Sequence, residues 1–441
     1  MQALTLASPL SFRRAALIPV LRAALLALLA GAGGAAARSD DPALCDAVRN
    51  PKGSTYITRV GDTYLVKPEF DMYRQLNDTD RQNLQEFGRM LRREGVTLIV
   101  NPVPFKASLL YDAQHPPENK YNPVQARQQY QAEVAAMREA GIVVQDLDAL
   151  ARSMPAGQTF FARRDHHWTS AALELTAQKT AEAVIGLGRG YPKQATVDLQ
   201  RETRNYGGSI ADELQKHCQY SFPSSEQRVF YKAVTSGSGD LLGDEPIDIY
   251  AIGDSFSIDY FGFPQVVSAL LKAPIQNMSI NGGGCCSAFP ALYASLGPQD
   301  HKPSILIWTS LNVLMGSNET REYKPTFYSA YHTSSPLATA TVDTPNAQPT
   351  TMNVPLDKTA RYYLRVTFTG KKTQNYSLTL HYSGAEEKVA VWRKDEAVKD
   401  RYTTSFYYEL KPEQSTLESV RVTSDSGDGY QVSVFRYDRL P

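Results

Sequence analysis

The chain has 441 residues and an even charge balance, with 46 Lys and Arg residues against 46 Asp and Glu residues. A formal net charge of zero argues against a nucleic-acid-binding protein and gives no global field that would attract an acidic polymer. Any binding of a polyanion must therefore use local patches. The length favours two domains, and no Cys/His spacing matches a zinc site, so the sequence indicates neither a metal nor a cofactor.

The N-terminus has the pattern of a cleaved secretory signal peptide over residues 1–37. Arg13 and Arg14 precede an apolar stretch, Ala15–Ala30, and three consecutive alanines then offer the small residues that signal peptidase reads. An uncleaved membrane anchor is the alternative, but a proline and an arginine interrupt the apolar run and leave it short for a span. We expect an exported protein whose mature chain starts near Arg38.

The cysteines fit an oxidising compartment, and four of them permit three pairings. We favour a disulfide between Cys45 and Cys218, which would tie the mature N-terminus to the central part of the chain. Cys285 and Cys286 are adjacent, and they either form a strained vicinal bridge or remain buried thiols.

The central region, from about Thr55 to Met315, alternates between helix-like and strand-like segments. Apolar residues recur at helical spacing in some segments, whereas others are the short apolar runs typical of strands buried on both faces. This alternation predicts a parallel sheet with helices on both faces, which binds ligands at the carboxyl ends of its strands. The predicted helices are Thr79–Glu94, Asn122–Ala140, Ala171–Ile185 and Ser257–Lys272, and the predicted strands are Val96–Val100, Ile142–Leu147, Ile247–Ile252 and Ser304–Thr309.

An Asp-x-His pattern, Asp165 and His167, stands just before the third predicted helix. In an extended segment both side chains point to the same side, so the carboxylate can fix the tautomer of the imidazole. His166 is the competing histidine, and in that geometry it faces the opposite way. The alternative interpretation is that Asp165 caps the helix beginning near Thr169, with both histidines as surface neighbours.

Ser255 follows the apolar run Ile247–Ile252 and the turn glycine Gly253. We therefore expect it at the carboxyl end of a strand and just before a helix N-terminus, where unpaired backbone N–H groups can hold a developing oxyanion. A serine hydroxyl needs a base to take its proton, so pairing with His167 and Asp165 would complete a catalytic triad. A Gly-Asp-Ser triplet is equally typical of an ordinary turn.

Other oxyanion donors are sought further along the chain. Gly283 and Gly284 lie in a glycine run whose main chain can approach a ligand closely, although a simple glycine loop has the same composition. Asn312, just beyond the last predicted strand of the central region, is a candidate side-chain donor.

The last part of the chain has a different composition. Residues Thr333–Asn353 are rich in Thr, Ser, Pro and Ala, and they predict a linker or an irregular lead-in. Short alternating runs separated by turn residues then predict a small β-sandwich or jelly-roll module. The predicted strands are Tyr362–Phe368, Ser377–Tyr382, Lys388–Arg393, Thr404–Leu410, Glu418–Thr423 and Tyr430–Tyr437.

This β module carries candidate carbohydrate-binding residues, Trp392, Arg393, Lys394 and Arg401. Aromatic faces stack on sugar rings, and cationic groups hold carboxylates. The alternative is that such aromatic residues form the core and the cross-strand pairs of a sheet.

The two central motifs together resemble a known family. The chain contains Asp165-x-His167-Trp168-Thr169 and, much later, Gly253-Asp254-Ser255-Phe256-Ser257. This order resembles the alginate O-acetyltransferases of the AlgX and AlgJ type, which are periplasmic relatives of SGNH hydrolases. The resemblance covers roughly Thr55 to Met315 and includes Val103-Pro104-Phe105-Lys106, Tyr111 and the run Gly282-Gly283-Gly284.

The resemblance implies an SGNH-hydrolase-like α/β domain in which Ser255, activated by His167 and Asp165, is acetylated and passes the group to an exopolysaccharide hydroxyl. Two departures are visible. Thr309 stands where family members often place an acidic residue after the tryptophan. The chain also lacks the Gly-x-Asn-Asp pattern of the hydrolases, which leaves the usual side-chain oxyanion donor unassigned.

The function that the resemblance implies is a periplasmic polysaccharide O-acetyltransferase acting on alginate, as polymannuronate, with a membrane acetyl-donor system and export-complex proteins as partners. A periplasmic carbohydrate esterase or deacetylase is the first alternative, and a non-catalytic glycan-binding scaffold of an export complex is the second. We expect a signal peptide over 1–37, a catalytic domain over 38–325 and a carbohydrate-binding β-sandwich over 326–441.

Overall fold

The computed structural model describes residues 41–438 apart from short gaps at 51, 71–74, 112–120, 192–196, 236–246, 285, 312–314, 344–347, 371–374, 393–403, 412 and 425–426. The predicted signal peptide, residues 1–37, therefore lies outside the described residues. Within the described part, none of the helices has the length and apolar character that a membrane span requires.

The first part of the structure is built on a parallel sheet of five strands. The strands described before the C-terminal module are β1 (Ile57–Val60), β2 (Thr63–Val66), β3 (Thr97–Val103), β4 (Val143–Val144), β5 (Val197–Tyr206), β6 (Glu226–Thr235), β7 (Ile249–Gly253), β8 (Ile275–Asn277) and β9 (Ile305–Leu311). The parallel sheet has the order β4-β3-β9-β7-β8, while β1 pairs with β2 and β5 pairs with β6 as antiparallel hairpins.

The central strands are buried on both faces, as their continuous apolar runs predict. Leu306 and Trp308 of β9 pack into one hydrophobic core, while Ile305 and Ile307 pack into the other. Two differences from the prediction lie at the edges of the sheet. Strand β4 is only two residues long because a helix begins at Leu147, and β8 has no counterpart among the predicted strands.

Helices cover both faces of this sheet. They are α1 (Asp46–Arg49), α2 (Asp78–Arg93), α3 (Lys106–Leu110), α4 (Pro123–Glu139), α5 (Leu147–Arg152), α6 (Ser170–Gly186), α7 (Ser209–Cys218), α8 (Phe263–Leu271), α9 (Ala288–Ala294) and α10 (Ser317–Tyr331). Helices α2, α4, α9 and α10 contribute to one core, and α6 and α8 to the other. The predicted helices at α2, α4 and α6 are confirmed to within about one residue at each end.

The fourth predicted helix, Ser257–Lys272, is wrong at its start. Residues 254–262 form turns, and α8 begins only at Phe263. Gly262 has a φ of +84°, a conformation that favours glycine, and Pro264 stands in the first turn of the helix. These two residues therefore start the helix, where the sequence predicts that they kink it.

Residues 197–235 hold an insertion that the sequence analysis does not anticipate: the β5–β6 hairpin with α7 between its strands. Strand β5 is mostly exposed and lacks an apolar alternation, so its sequence carries little strand signal. Cys218, at the end of α7, forms a disulfide with Cys45, the pairing that the sequence favours. Cys286 is also disulfide-bonded, and Cys285 lies outside the described residues.

The C-terminal part confirms the predicted all-β fold. Its strands are β10 (Ala338–Val342), β11 (Thr350–Pro355), β12 (Tyr362–Phe368), β13 (Asn375–Tyr382), β14 (Ala385–Trp392), β15 (Ser405–Glu409), β16 (Thr416–Ser424) and β17 (Tyr430–Arg436). They form two antiparallel sheets, β10-β17-β12-β15 and β11-β16-β13-β14, around a shared apolar core. The linker predicted over Thr333–Asn353 is wrong, because its threonine-rich segments pair with β17 and β16 as edge strands.

Candidate active site

Ser255 lies in the turn that follows β7, at the carboxyl edge of the parallel sheet. Gly253 allows β7 to pass close to β9, since a Cβ there would lie 1.8 Å from the Thr309 carbonyl oxygen. The buried carboxylate of Asp254 accepts hydrogen bonds from Ser310 Oγ at 2.7 Å and from the Leu311 N–H at 2.9 Å. Burial raises the pKa of Asp254. These contacts fix the serine turn to the neighbouring strand.

The helix N-terminus predicted directly behind Ser255 is absent, because α8 starts at Phe263. Any oxyanion donor from this segment must therefore come from the turn itself. The N–H of Phe256 donates to Asp254 Oδ1 at 3.0 Å and that of Ser257 donates to the Asp254 carbonyl at 3.0 Å, so both are already engaged.

The histidine motif lies in a tight loop that ends at α6. Phe161 and Trp168 form an isolated antiparallel bridge, and the Thr169 N–H donates to the Phe160 carbonyl at 2.8 Å. Thr169 caps α6, since its side chain accepts from the Ala172 N–H. The alternative interpretation in which Asp165 caps this helix is therefore wrong.

The structure brings together the three predicted triad residues. His167 Nδ1 lies 2.8 Å from Asp165 Oδ1, and His167 Nε2 lies 2.8 Å from Ser255 Oγ. The backbone N–H of His167 donates to the same Asp165 oxygen at 3.1 Å. The carboxylate thus holds the ring with Nδ1 protonated and leaves Nε2 to accept the serine proton.

Asp165 is surrounded by partners from the inserted segment. Ser209 Oγ donates to Asp165 Oδ1 at 2.7 Å, and Arg228 Nη1 lies 3.5 Å from Asp165 Oδ2. Burial opposes ionisation, but the hydrogen bond and charge of His167, with His166 and Ser209, hold the pKa of Asp165 below its ordinary value. Asp165 is therefore ionised across the physiological range. Ser209 and Arg228 are not predicted from the sequence, because nothing in their local pattern connects them to Asp165, which lies dozens of residues upstream.

Lys106 holds the histidine loop in place through hydrogen bonds to its backbone carbonyls. Its side chain is fully buried, and Nζ donates to the backbone carbonyls of Tyr64, Ala162 and Asp165 at 2.8, 2.7 and 2.8 Å. Its own N–H donates to Glu69 Oε2 at 2.9 Å. Burial lowers the pKa of Lys106 to about 8. The resemblance includes this lysine as part of a flanking motif, and its contacts give it a positioning role.

His166 does not face away from His167, as the extended geometry predicts. The loop turns there, so the two ring centroids lie 3.9 Å apart, and His166 Nδ1 lies 2.7 Å from Ser209 Oγ. Burial and the charge of His167 lower the pKa of His166 to about 3, which keeps this ring neutral.

Among the described residues, Asp165, His166 and His167 form a group whose ligand atoms lie close enough to hold a metal ion. Asp165 Oδ1, both ring nitrogens of His167 and His166 Nδ1 are engaged by one another, by Ser209 and by Ser255. This bonding fits proton transfer between a serine and a histidine better than it fits metal ligation.

The predicted oxyanion donors fare differently. The N–H of Gly283 donates to the Ile280 carbonyl at 3.0 Å, so it is not free to bind an oxyanion and this candidate is withdrawn. Gly284 stays a prediction, and Asn312 lies outside the described residues. Thr309, where the family often has an acidic residue, is fully buried and accepts a hydrogen bond from Asn101 Nδ2 at 2.8 Å.

The candidate carbohydrate-binding residues remain predictions. Trp392 is the last residue of β14, and its side chain is not described. Arg393, Lys394 and Arg401 lie outside the described residues.

The part of the chain that holds the candidate site matches a known protein family. A family model described as the SGNH hydrolase-like domain of the acetyltransferase AlgX matches residues 65–310, more than half of the chain. The chain belongs to this AlgX family. The matched span holds the parallel sheet, the histidine loop and the Ser255 turn, so the family model covers every residue of the candidate triad.

Two curated relatives of the AlgX family are named alginate biosynthesis protein AlgX. The protein from Pseudomonas syringae pv. tomato is 26% identical over 311 residues, which are 64% of this chain and 64% of that protein. The protein from Azotobacter vinelandii is 26% identical over 284 residues, which are 60% of this chain and 58% of that protein. The chain therefore aligns with less than two thirds of the length of each relative.

The solved structure of Pseudomonas aeruginosa AlgX is similar in fold. It matches with a TM-score of 0.70 at 19% identity and covers 89% of this chain and 100% of that chain. The AlgX fold thus describes both the parallel-sheet part and the antiparallel sheets that follow it. At this identity the likeness concerns the fold alone.

Proposed function

We propose that the chain is a polysaccharide O-acetyltransferase that forms an acetyl-enzyme on Ser255 and transfers the acetyl group to hydroxyls of alginate, as polymannuronate. The 2.8 Å contact between His167 Nε2 and Ser255 Oγ carries the proposal, together with membership of an acetyltransferase family. The names of the relatives, both alginate biosynthesis proteins, supply the choice of polymer.

The first half-reaction acetylates the serine. His167 Nε2 takes the proton of Ser255 as Oγ attacks the carbonyl carbon of an acetyl donor, and the backbone N–H of Gly284, the predicted donor that remains, stabilises the oxyanion. The tetrahedral intermediate then collapses, and the protonated His167 gives its proton to the leaving group of the donor. Asp165 stays ionised and stabilises the imidazolium throughout.

The second half-reaction runs the same steps with a sugar hydroxyl as the nucleophile. His167 removes the hydroxyl proton, the sugar oxygen attacks the acetyl carbon, and His167 returns a proton to Ser255 Oγ as it leaves. Water in place of the sugar would give an esterase or a deacetylase. The transferase proposal therefore requires that the acceptor sugar outcompete water.

The compartment, the partners and the domain boundaries are part of this proposal. A signal peptide over residues 1–37 would direct the chain to the periplasm, where the Cys45–Cys218 disulfide is compatible with the oxidising conditions. No acetyl-CoA is expected there, so a membrane partner would supply the acetyl group, and proteins of an export complex would supply the polymer. We retain a catalytic domain over 38–325 and a carbohydrate-binding module over 326–441, although position 325 lies inside α10.

The first test compares the parent protein with Ser255→Ala. We expect the parent to release p-nitrophenol from p-nitrophenyl acetate and the variant to lose this activity by at least about a thousandfold, since removing a triad nucleophile leaves only binding and oxyanion effects. Ser295→Ala, an exposed-turn serine at the end of α9, is the matched control and should keep full activity.

Mass spectrometry then separates the enzyme classes. With an oligomannuronate acceptor present, a transferase adds acetyl increments of mass to the sugar, whereas an esterase only releases acetate. Equal rates for the parent and Ser255→Ala would refute the catalytic proposal and favour a glycan-binding scaffold.

A further inference from the structure

A second concave site lies apart from the triad, between α3, α4 and α5. It encloses about 540 Å³, a volume in the range of known small-ligand sites. Its lining includes Arg127, Gln128 and Gln131 from α4, Arg152 from α5, and the ring of Tyr111. Two guanidinium groups, two amides and an aromatic ring are the groups that proteins use to hold a sugar bearing a carboxylate.

The two arginines are held in place by one buried carboxylate. Asp148 accepts from Arg127 Nε at 2.9 Å, and its two oxygens accept from Arg152 Nε and Nη2 at 3.1 Å. Arg152 Nη2 also donates to the Ser108 carbonyl at 3.0 Å. The side chain of Asp148 is only 1% exposed, whereas those of Arg127 and Arg152 are 48% and 37% exposed.

Among the described residues, this arrangement leaves an excess of positive charge at the cavity. Two guanidinium groups share one buried carboxylate, and the described residues that line the cavity include no Asp or Glu. The nearby Asp146 is turned to the N-terminus of α5, where it accepts from the Ala149 N–H at 3.0 Å and from Gln131 Nε2 at 3.3 Å. An arginine already oriented by a buried partner loses little entropy when it binds an anion.

The cavity opens at the same edge of the sheet as Ser255. Helix α3 follows the carboxyl end of β3, α5 follows that of β4, and α4 begins at this edge because it runs back from β3 towards the start of β4. Strand β9 separates β3 from β7, which places their carboxyl ends about 10 Å apart at the usual strand spacing.

Helix α3 connects the two sites directly. Lys106, the first residue of this helix, donates to the backbone carbonyl of Asp165, while Ser108, two residues later, lines the cavity and accepts from Arg152 through its own carbonyl. An extended polymer could therefore reach both places at once, with one sugar at Ser255 and a sugar further along the same chain in the cavity.

We propose that the cavity between α3, α4 and α5 is an acceptor subsite that binds a uronate residue of the polysaccharide several sugars away from the acetylated one. The uronate carboxylate accepts hydrogen bonds from Arg127 and Arg152, and the amides of Gln128 and Gln131 bind ring hydroxyls. The identity of the ligand rests on the proposed function, but the site itself rests on the geometry of the cavity.

The test measures binding, so its outcome does not depend on turnover. Isothermal titration calorimetry is carried out with oligomannuronate on the full-length Ser255→Ala protein and on the same protein with Arg127→Gln added. We expect the second change to weaken the Kd about tenfold, which corresponds to losing one hydrogen bond to a charged group at a partly exposed site. Arg138→Gln is the matched control, because Arg138 stands in the last turn of the same helix, at the opposite edge of the sheet, and should leave the Kd unchanged.

A second variant protects the test against loss of fold. Val124 lines the cavity and is 46% exposed, so Val124→Trp should fill the space without disturbing the Asp148 contacts and should weaken binding at least as much as Arg127→Gln. A neutral cello-oligosaccharide of equal length is the chemical control, and its weaker binding should not respond to Arg127→Gln.

The outcomes separate this inference from the proposed function. Unchanged affinity in both Arg127→Gln and Val124→Trp would overturn the subsite, even if Ser255-dependent acetyl transfer is observed. Equal losses for the charged and the neutral oligosaccharide would overturn recognition of the carboxylate. A subsite that binds uronates in a protein without acetyl transfer would refute the proposed reaction and leave the subsite standing.

Discussion

At the scale of single residues, Asp165 shows how the proposed triad depends on groups outside it. One of its oxygens accepts from His167 and Ser209, and the other faces Arg228. Arg228 is buried and packs against the Phe261 ring, with its guanidinium carbon 3.9 Å from the ring centroid. A buried cation beside a buried carboxylate stabilises the ionised form of that carboxylate, so we infer that Arg228 is a positioning and electrostatic partner of the proposed triad.

Replacing Arg228 with Met should lower activity through Asp165. Loss of a buried cation beside the hydrogen-bonded Asp165–His167 pair favours protonation of that pair, so the acid limb of the pH profile of kcat/KM should move to higher pH. We expect kcat to fall by about tenfold or more, from the lost support of the carboxylate that orients the histidine. The measurement is p-nitrophenyl acetate hydrolysis across a pH series.

Arg228→Lys provides the conservative comparison, because lysine keeps the positive charge but lacks the planar guanidinium group. The acid limb of this variant should lie closer to that of the parent protein. A uniform loss of activity at every pH, with an unmoved acid limb, would contradict this role and indicate a purely structural one.

At the scale of elements, segments from three separate parts of the chain assemble the site. The end of β7 supplies the serine turn, α3 after β3 supplies Lys106, and the loop before α6 supplies Asp165 and His167. The loop has little regular structure of its own. Three of its backbone carbonyls accept hydrogen bonds from the Lys106 ammonium, which also donates to the Tyr64 carbonyl. The position of His167 is therefore tied to a buried cation on a different element.

Lys106→Met should strongly impair catalysis, although the lysine side chain does not touch the reacting atoms. The change removes every hydrogen bond from Nζ, and the resulting shift of the histidine loop should lower kcat/KM by about a hundredfold. Arg163→Met is the matched control, since Arg163 lies in the same loop but pairs at the surface with Asp62 and should have little effect. Equal effects of the two changes would contradict the proposed role of Lys106.

The same lysine predicts an alkaline limit to activity. Burial lowers its pKa to about 8, and only the charged form carries the three N–H donors that its carbonyl partners use. Activity should therefore fall as the pH rises through about 8, and the Lys106→Met variant should lack this limb.

At the scale of the whole molecule, a buried ionic network joins the parallel-sheet part to the β module. Lys324 of α10 is fully buried, and its Nζ donates to Asn83 Oδ1 and Glu86 Oε2 of α2 and to Glu409 Oε1 of β15, at 2.9, 2.8 and 3.0 Å. Arg361 adds a second cation, with Nη2 3.0 Å from Glu86 Oε1. Because one lysine serves groups from both parts, the network fixes how the two parts sit against each other.

Lys324→Met should destabilise the protein strongly. It leaves two buried carboxylates with one cation, and breaking a buried ion pair from one side costs about 3–5 kcal/mol. Lys179→Met is the control, because its pair with Glu182 is exposed on both sides and should be worth less than about 1 kcal/mol. Urea unfolding provides the free energies, and similar losses for the two variants would show that the network contributes little.

The sequence by itself determined the central α/β class, the C-terminal β fold, three of the four central helices, the favoured disulfide and the residues now found in contact at Ser255. The disulfide rests on the small number of pairings that four cysteines permit, and the others depend on local periodicity, on turn chemistry or on a motif that is contiguous in the chain. The resemblance to AlgX-type proteins added the pairing of two distant motifs, which no periodicity contains.

Only the tertiary structure decided which groups support those motifs. Ser209, Arg228 and Lys106 reach Asp165 or its loop from separate segments, and the β5–β6 hairpin that carries Arg228 has no apolar alternation to indicate it. The predicted start of α8 is wrong, and the hydrogen bond of the Gly283 N–H is not predicted, because both depend on the path of the backbone through space. Hydrogen bonds and buried charges act over a few ångströms, and residues that lie dozens of positions apart come that close only when the chain folds.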